Sequence, residues 1–267
     1  MNLLFAIDRG FVSRFLVCAR SVLRSGGAEH YDFYILHSDL TEEDMETVRR
    51  ALAPKAACHF VAVDPAIFAG FPTYERYPLQ IYYRIAAPRL LPPTLDRILY
   101  LDADTLVINS LVPLYESSFE GSYFMACTHT RQLLRKFNQA RLGIEQEVPY
   151  INSGVLLMDL AALRENLSLE QIRDYANSRK LSLWLPDQDI LTALFGHRVK
   201  LLDTLVYNLS DRVLSFHNAD PKNEPVDLDW VRKHTVVIHY FGKNKPWKPH
   251  YRGVLDVFYR EALTPLP

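Results

Sequence analysis

Short apolar runs alternate along this chain with stretches whose apolar residues recur at helical spacing. Residues 3–7 form an unbroken apolar run ending at Asp8, the signal of a buried strand. Over residues 11–25, Val12, Phe15, Leu16, Ala19, Val22 and Leu23 share one helical face, and Gly26-Gly27 stops the pattern. Residues 33–37 repeat the strand signal. Thr41-Glu42-Glu43-Asp44 resembles a capping box opening a helix towards Ala53, before Pro54, and residues 57–63 read as a third strand. A β-α-β-α-β opening predicts a mostly parallel sheet flanked by helices through right-handed crossovers.

Further along, residues 77–87 read as a helix ended by Pro88, with Arg84 projecting as a surface charge or as an anion partner. Residues 98–101 form a strand, 106–108 extend the chain, and Pro113-Leu114 turns it. A strand over 124–127, a mildly basic helix over 131–143 and a pocket-flanking loop over 144–150 follow. Asn152-Ser153-Gly154 then precedes another apolar strand. Residues 168–179 are an amphipathic helix, and Asp187 is the expected N-cap of a helix reaching Phe195. Residues 207–230 are polar and Pro-broken, hence loop-rich and a candidate acceptor region; 235–238 make the last strand. With no repeat or linker, residues 1–267 read as one domain.

Candidate chemistry centres on Tyr100-Leu101-Asp102-Ala103-Asp104, directly after a strand. In extended backbone, side chains i and i+2 leave the same face, so both carboxylates converge, and small Ala103 leaves that point open. A hard divalent cation with oxygen ligands satisfies such a pair and commonly carries a diphosphate. In isolation, however, the pair reads equally as an Asp-rich turn. The Asn152-Ser153-Gly154 turn is likewise ordinary by itself. Asp8 and Asp102 both end strands, where open α/β sheets bind ligands. No glycine-rich phosphate loop follows the first strand, so nucleotide phosphates would be held by metal and side chains.

Composition narrows the class. A net charge of −1 without a Lys/Arg block excludes an electrostatic case for nucleic acid. Cys18, Cys58 and Cys127 are widely spaced with no C-x-x-C, which argues for a reducing compartment. The first apolar run is too short for a signal peptide or a membrane span. The triplets at Asn166 and Asn208 match a glycosylation acceptor and read as chance. The expected location is cytoplasmic, with the inner membrane face as the alternative. Tyr251, Arg252, Phe258, Tyr259 and Arg260 offer only a weak surface patch for such contact.

Taken together, five blocks in order resemble the family-8 retaining glycosyltransferases, which include bacterial lipopolysaccharide galactosyl- and glucosyltransferases and, more distantly, the glycogenins. They are Phe5-Ala6-Ile7-Asp8, Tyr100 to Asp104, Asn152-Ser153-Gly154-Val155, Asp187-Gln188-Asp189 and the H-x-x-G-x-x-K-P-W block from His239 to Trp247. The resemblance implies a GT-A fold with one Rossmann-like, mostly parallel sheet, in which 1–105 form a nucleotide-binding half, 106–250 a donor-sugar and acceptor half and 251–267 a short tail. It also implies transfer of glucose or galactose from a UDP-sugar to a saccharide or glycolipid acceptor, with Mn²⁺, or Mg²⁺ as the alternative. On that resemblance, Asp102, Asp104 and His239 bind the metal. Ala6, Asp8 and Ala103 belong to the nucleotide site and Arg84 to the diphosphate or sugar side. Asn152, Ser153, Gly154, Asp187 and Gln188 line the donor sugar, and Gly242 and Lys245 meet the pyrophosphate. Gln188, Asp187 and Lys245 are the expected catalytic groups. Asp8-Arg9-Gly10-Phe11 stands where the family often has an Asn-Tyr pair, and His129 and Thr130 lie near a donor-contacting position. The other histidines, His129 included, otherwise read as ordinary core or surface residues. Rival classes are a sugar-1-phosphate nucleotidyltransferase, which would need a basic glycine-rich loop after the first strand, and a nucleotide-sugar-binding pseudoenzyme.

Overall fold

The computed structural model describes residues 1–73, 79–129 and 132–263, with the side chains of 132–135 set apart. The expected helix start at Tyr77, together with Thr130 and Arg131, lies outside the described residues. In chain order the strands are β1 (Asn2–Ala6), β2 (Tyr31–His37), β3 (Ala56–Ala62), β4 (Arg97–Leu101), β5 (Thr105–Val107), β6 (Phe124–Ala126), β7 (Val155–Asp159), β8 (Val199–Leu201) and β9 (Val237–His239). The helices are α1 (Val12–Ser25), α2 (Glu42–Leu52), α3 (Tyr83–Leu90), α4 (Val112–Tyr115), α5 (Gln132–Leu142), α6 (Leu160–Asn166), α7 (Leu169–Ser178), α8 (Pro186–Phe195), α9 (Thr204–Tyr207), α10 (Asp211–Asn218), α11 (Leu228–His234) and α12 (Asp256–Ala262).

Seven strands form one sheet in the order β3-β2-β1-β4-β7-β6-β8, and β5 pairs with β9 in a separate two-stranded sheet. Only β7 runs against its neighbours; the remaining pairings of the large sheet are parallel. Strand alternation divides the core into two layers. Leu4, Ile98, Tyr100, Leu156 and Met158 face one side, with α3 and α6 to α8. Leu3, Phe5, Leu99, Leu101, Val155 and Leu157 face the other, with α1 and α2. A central strand apolar on both faces is what a helix-covered parallel sheet requires. Each such side chain contributes roughly 1.5–3 kcal/mol by leaving water.

The antiparallel β5–β9 register builds the site. It sets Thr105 opposite His239, and Tyr240 N donates to Asp104 O at 3.0 Å. His239 is thereby brought beside the turn that follows β4. A bridge from Leu209 to Ile238, with His239 N donating to Leu209 O at 2.7 Å, seats Asn208 against the same histidine.

Several expectations need correcting. Pro88 does not end its helix: α3 runs to Leu90, because Tyr83 to Pro88 are largely buried and tertiary packing outweighs the missing N–H. Pro113-Leu114 is part of a one-turn helix, with Pro in its tolerated first turn. Residues 207–230 contain α10 and the start of α11, capped by the Ser210 and Asp227 side chains. The Thr41–Asp44 capping box forms as expected, with Asp44 answering the Thr41 backbone N–H.

Candidate active site

Asp102 and Asp104 converge, but not along extended backbone. β4 ends at Leu101, and residues 102–104 turn back, with Thr105 N donating to Asp102 O at 3.0 Å. The Thr105 hydroxyl donates to the same carbonyl at 2.8 Å, and Asp102 N donates to Gly154 O across the ladder. Ala103 does not keep the site open as expected. It is buried among the α1-side apolar residues, and so anchors the turn from beneath.

Ligand atoms from Asp102, Asp104 and His239 lie within 4.8 Å of one another. His239 Nε2 is 3.2 Å from Asp104 Oδ1 and 3.6 Å from Asp102 Oδ2, yet Nε2 and Asp104 Oδ1 are buried without a hydrogen-bond partner among the described residues. Buried polar atoms are normally satisfied, so two orphans facing one space make a candidate cation site. Gly154 leaves that space free: a Cβ there would collide with the His239 ring and stand 2.7 Å from Asp102 Oδ2. One imidazole nitrogen with two carboxylates suits Mn²⁺ better than Mg²⁺, which prefers oxygen and water. The residues present fit a divalent metal.

Around this trio, cations and carboxylates interlock. Arg84 meets Asp102 Oδ1 at 3.0 Å and Asp187 Oδ2 at 3.4 Å, and donates to the Ser153 carbonyl at 3.0 Å. Its guanidinium also lies 4.5 Å from the centre of the Tyr100 ring. Burial opposes the Arg84 charge most strongly of any single cause, but Asp102, Tyr100 and Asp187 together outweigh it, and the group stays protonated well above its ordinary range. Burial keeps the Tyr100 phenol protonated too, and it donates to Asp102 Oδ1 at 2.6 Å. Lys245 pairs with Asp104 and donates to Tyr240 O at 2.7 Å. Burial opposes the Asp104 charge as well, yet His239 and Lys245 together hold that carboxyl below the usual carboxylate range. Three carboxylates against two permanent cations leave room for a further positive charge.

The polar wall of the site comes from the turn before β7 and the start of α8. Gln188 Oε1 accepts from Asn152 Nδ2 at 2.8 Å and from Ser153 N at 3.2 Å, which leaves its amide NH₂ as the end without a partner among the described residues. Asp187 is not the N-cap of α8. That position is Leu185, and Asp187 instead accepts from the Ser153 hydroxyl at 2.6 Å and faces Arg84. Asp189, 0% exposed, instead braces the chain just ahead of the helix, which has no side-chain cap. Its oxygens accept from Trp184 N at 2.7 Å and Leu185 N at 3.1 Å, from Arg141 at 2.8 and 2.7 Å, and from the Tyr150 hydroxyl at 2.8 Å. Every lone pair suited to attack is committed.

The family model described as "Glycosyl transferase family 8" matches residues 2–250. The chain belongs to that family. A lipopolysaccharide 1,2-glucosyltransferase of Escherichia coli is 26% identical over 249 residues, spanning 92% of this chain and 73% of that protein. A lipopolysaccharide 1,3-galactosyltransferase of Salmonella typhimurium is 25% identical over 263 residues, spanning 92% and 72%. Among solved structures, the galactosyltransferase LgtC in complex with donor and acceptor sugar analogues matches with a TM-score of 0.82 at 26% identity. The match covers 100% of this chain and 98% of LgtC, and identifies the α/β architecture as the GT-A fold. Among the described residues no helix is long and apolar enough to cross a membrane.

Within this family-8 site the predicted residues are not equally placed. Asp102, Asp104, His239, Lys245, Arg84, Ser153, Gly154 and Asp187 meet directly, and Asn152 and Gln188 join through hydrogen bonds. Asp8 is engaged by backbone: its carboxylate accepts from Phe11 N at 3.0 Å, capping a short turn just after β1, which ends at Ala6. Gly242 takes a left-handed φ of 83°, with nothing within 4 Å of where a Cβ would sit. A side chain there would be strained by backbone, not by crowding. Trp247 packs against Tyr259 at 5.6 Å, a supporting role as its place after Pro246 suggests.

Sequence reasoning missed Asn208, noted only within a glycosylation triplet, and undervalued His129. Asn208 is 0% exposed and bonded to His239 and Asn152. His129 Nε2 donates to the Asn208 carbonyl at 3.0 Å, and its ring stacks on Phe241 at 4.9 Å. No local pattern marks either residue, because their partners are distant in the chain. Burial pulls the His129 pKa from 6.5 down to about 4. A lowered native pKa means that only the unfolded chain gains this proton between those values, so the group's stabilising effect is present above pH 6.5 and declines towards about 4. Urea unfolding of wild type and His129→Gln should therefore show a stability difference that narrows between pH 7 and pH 5. A constant difference would place the imidazole in water.

Proposed function

We propose that this chain transfers a glucose or galactose residue from a UDP-sugar to a saccharide or glycolipid acceptor, with retention at the anomeric carbon. Residues 1–267 would act as one domain, with 1–105 serving the nucleotide and 106–250 the sugar and acceptor. The observation that carries this reading is the meeting of the Asp102–Asp104–His239 trio with Arg84, Lys245 and the free amide of Gln188. A diphosphate leaving group and a sugar could be held there side by side. The matched relatives named as lipopolysaccharide glucosyl- and galactosyltransferases, and LgtC with sugar analogues, support the same chemistry.

In this reading Asp102, Asp104 and His239 hold Mn²⁺, which when bound supplies Lewis-acid neutralisation of the diphosphate. Lys245 swings from Asp104 to the pyrophosphate as a compact cation, and Arg84 faces the same charge. Asp187 accepts hydrogen bonds from donor-sugar hydroxyls, while the Gln188 NH₂ donates towards the sugar as positive character develops at its anomeric carbon. The bond from that carbon to the β-phosphate oxygen breaks, the acceptor oxygen bonds to the same face, and the acceptor proton passes to the departing phosphate oxygen. The carboxylates for double displacement would be Asp187 or Asp189. Asp187 is engaged by the Ser153 hydroxyl and Arg84. Asp189 is sealed by five donors, and Gln188 is a weak nucleophile, all of which favour this same-face route.

The test is slow hydrolysis of a UDP-sugar panel with Mn²⁺, with and without chelator. Release of UDP from UDP-glucose or UDP-galactose, stopped by chelator, is the expected result. UDP binding without release from any sugar, even with lipopolysaccharide-type acceptors added, would leave a nucleotide-sugar-binding pseudoenzyme. Formation of UDP-sugar from UTP and a sugar-1-phosphate would overturn the assignment in favour of nucleotidyl transfer.

A further inference from the structure

One hydrogen-bonded chain runs from backbone to metal-site imidazole. Gly154 N–H donates to Asn152 Oδ1 at 3.0 Å, and Ser153 N–H donates to Gln188 Oε1 at 3.2 Å. A backbone N–H only donates, so these two contacts settle which end of each amide is oxygen. Asn152 Nδ2 then donates to Gln188 Oε1 at 2.8 Å. Asn152 Oδ1 takes a second donor, Asn208 Nδ2, at 2.9 Å. With its nitrogen so engaged, Asn208 can offer only Oδ1 to His239 Nδ1, 2.9 Å away. That nitrogen must carry a proton, so in the neutral imidazole Nε2, facing Asp102 and Asp104, is the bare lone pair.

We propose that Asn208 is a positioning residue that joins the two halves of the reaction site. Through Oδ1 it holds His239 in the tautomer that can bind a cation, and through Nδ2 it holds Asn152, which orients Gln188. Second-sphere partners of this kind fix tautomer and ring direction for a metal-ligating histidine. Asn208 is completely buried, with Nδ2 on Asn152 and Oδ1 on His239, so its side chain has one orientation compatible with both neighbours, and His129 holds its backbone carbonyl. The Leu209–Ile238 bridge holds its backbone beside the His239 strand. The metal and sugar roles in this proposal rest on the function proposed above; the tautomer does not.

Two substitutions separate the halves. Asn208→Asp keeps an acceptor for His239 but turns an oxygen on Asn152 Oδ1, which Gly154 N–H prevents from rotating away. Asn208→Leu removes both contacts. Binding of Mn²⁺ alone, read by electron paramagnetic resonance, should weaken by about 10- to 100-fold in Asn208→Leu and stay near wild type in Asn208→Asp. In Asn208→Asp, kcat for UDP-sugar hydrolysis should fall while KM for the donor holds. Nitrogen-15 NMR of metal-free wild type at pH 8 should find His239 protonated on Nδ1. Protonation on Nε2 would overturn the proposal even if neither variant folds. So would Mn²⁺ affinity that is unchanged in Asn208→Leu, or kcat unchanged in Asn208→Asp. Wild type that binds Mn²⁺ with the Nδ1-protonated tautomer yet hydrolyses no UDP-sugar would sink the proposed function and leave the metal-side role of Asn208 standing.

Discussion

Asp104→Ala is expected to lower metal-dependent UDP release by about three orders of magnitude, with loss of Mn²⁺ affinity. Asp104 supplies one of the two orphaned atoms at the cation site and also tethers Lys245. Removing it abolishes a ligand and frees a cation that would then compete for the same space. Lewis-acid neutralisation of a leaving diphosphate supplies several kcal/mol in the transition state, and each ~1.4 kcal/mol is tenfold in rate. His239 and Lys245 hold the Asp104 carboxyl below the usual range, so its stabilising effect is complete above about pH 4 and fades only as pH falls further. Activity between pH 5 and 8 should not be limited by its ionisation. Chelator should reproduce the variant's defect in wild type, and a variant that retains chelator-sensitive activity would exclude Asp104 as a ligand.

Arg141→Ala is expected to destabilise the fold by about 3–5 kcal/mol, the range for stripping one partner from a buried ion pair. Its guanidinium binds both oxygens of Asp189 at 2.8 and 2.7 Å, and their side chains are 7% and 0% exposed. The variant would leave a carboxylate deep in the protein with two backbone amides and Tyr150 as its only donors. The structural consequence reaches the site. Asp189 fixes Trp184 and Leu185 at the mouth of α8, immediately before Asp187 and Gln188, and Arg141 also stacks 4.6 Å from the Trp184 ring. Urea unfolding measures the loss, and adding Asp189→Asn should recover part of it by removing the stranded charge. Equal losses in the single and double variants would show that packing of the Arg141 stem, not charge, is what matters.

Periodicity located the first three strands and two helices to within about two residues, because each buries a continuous apolar face that can be counted along the chain. The Thr41 capping box was legible for the same reason: its partners are three residues apart. The carboxylates of the candidate metal site and the H-x-x-G-x-x-K-P-W block were legible as residue types in order. Short elements such as β8, α6, α9 and α12 were not. They are three to seven residues long, and their form is imposed by neighbours rather than by local pattern.

The sequence by itself determined the parallel opening of the sheet, the acidic turn after β4 and family-8 membership through ordered blocks. Tertiary structure decided how those residues meet. The β5–β9 register brings His239 to Asp104 across more than a hundred residues, and the β4–β7 ladder brings Gly154 under Asp102. It alone divided the Asp187-Gln188-Asp189 block into a site carboxylate, an amide with its NH₂ free and a sealed structural anion. It alone turned Asn208 from one residue of a chance triplet into the hinge of a hydrogen-bonded chain. The physical reason is common to all of these. Local pattern reflects which faces are buried, whereas hydrogen-bond direction and charge pairing depend on partners that only the folded chain supplies.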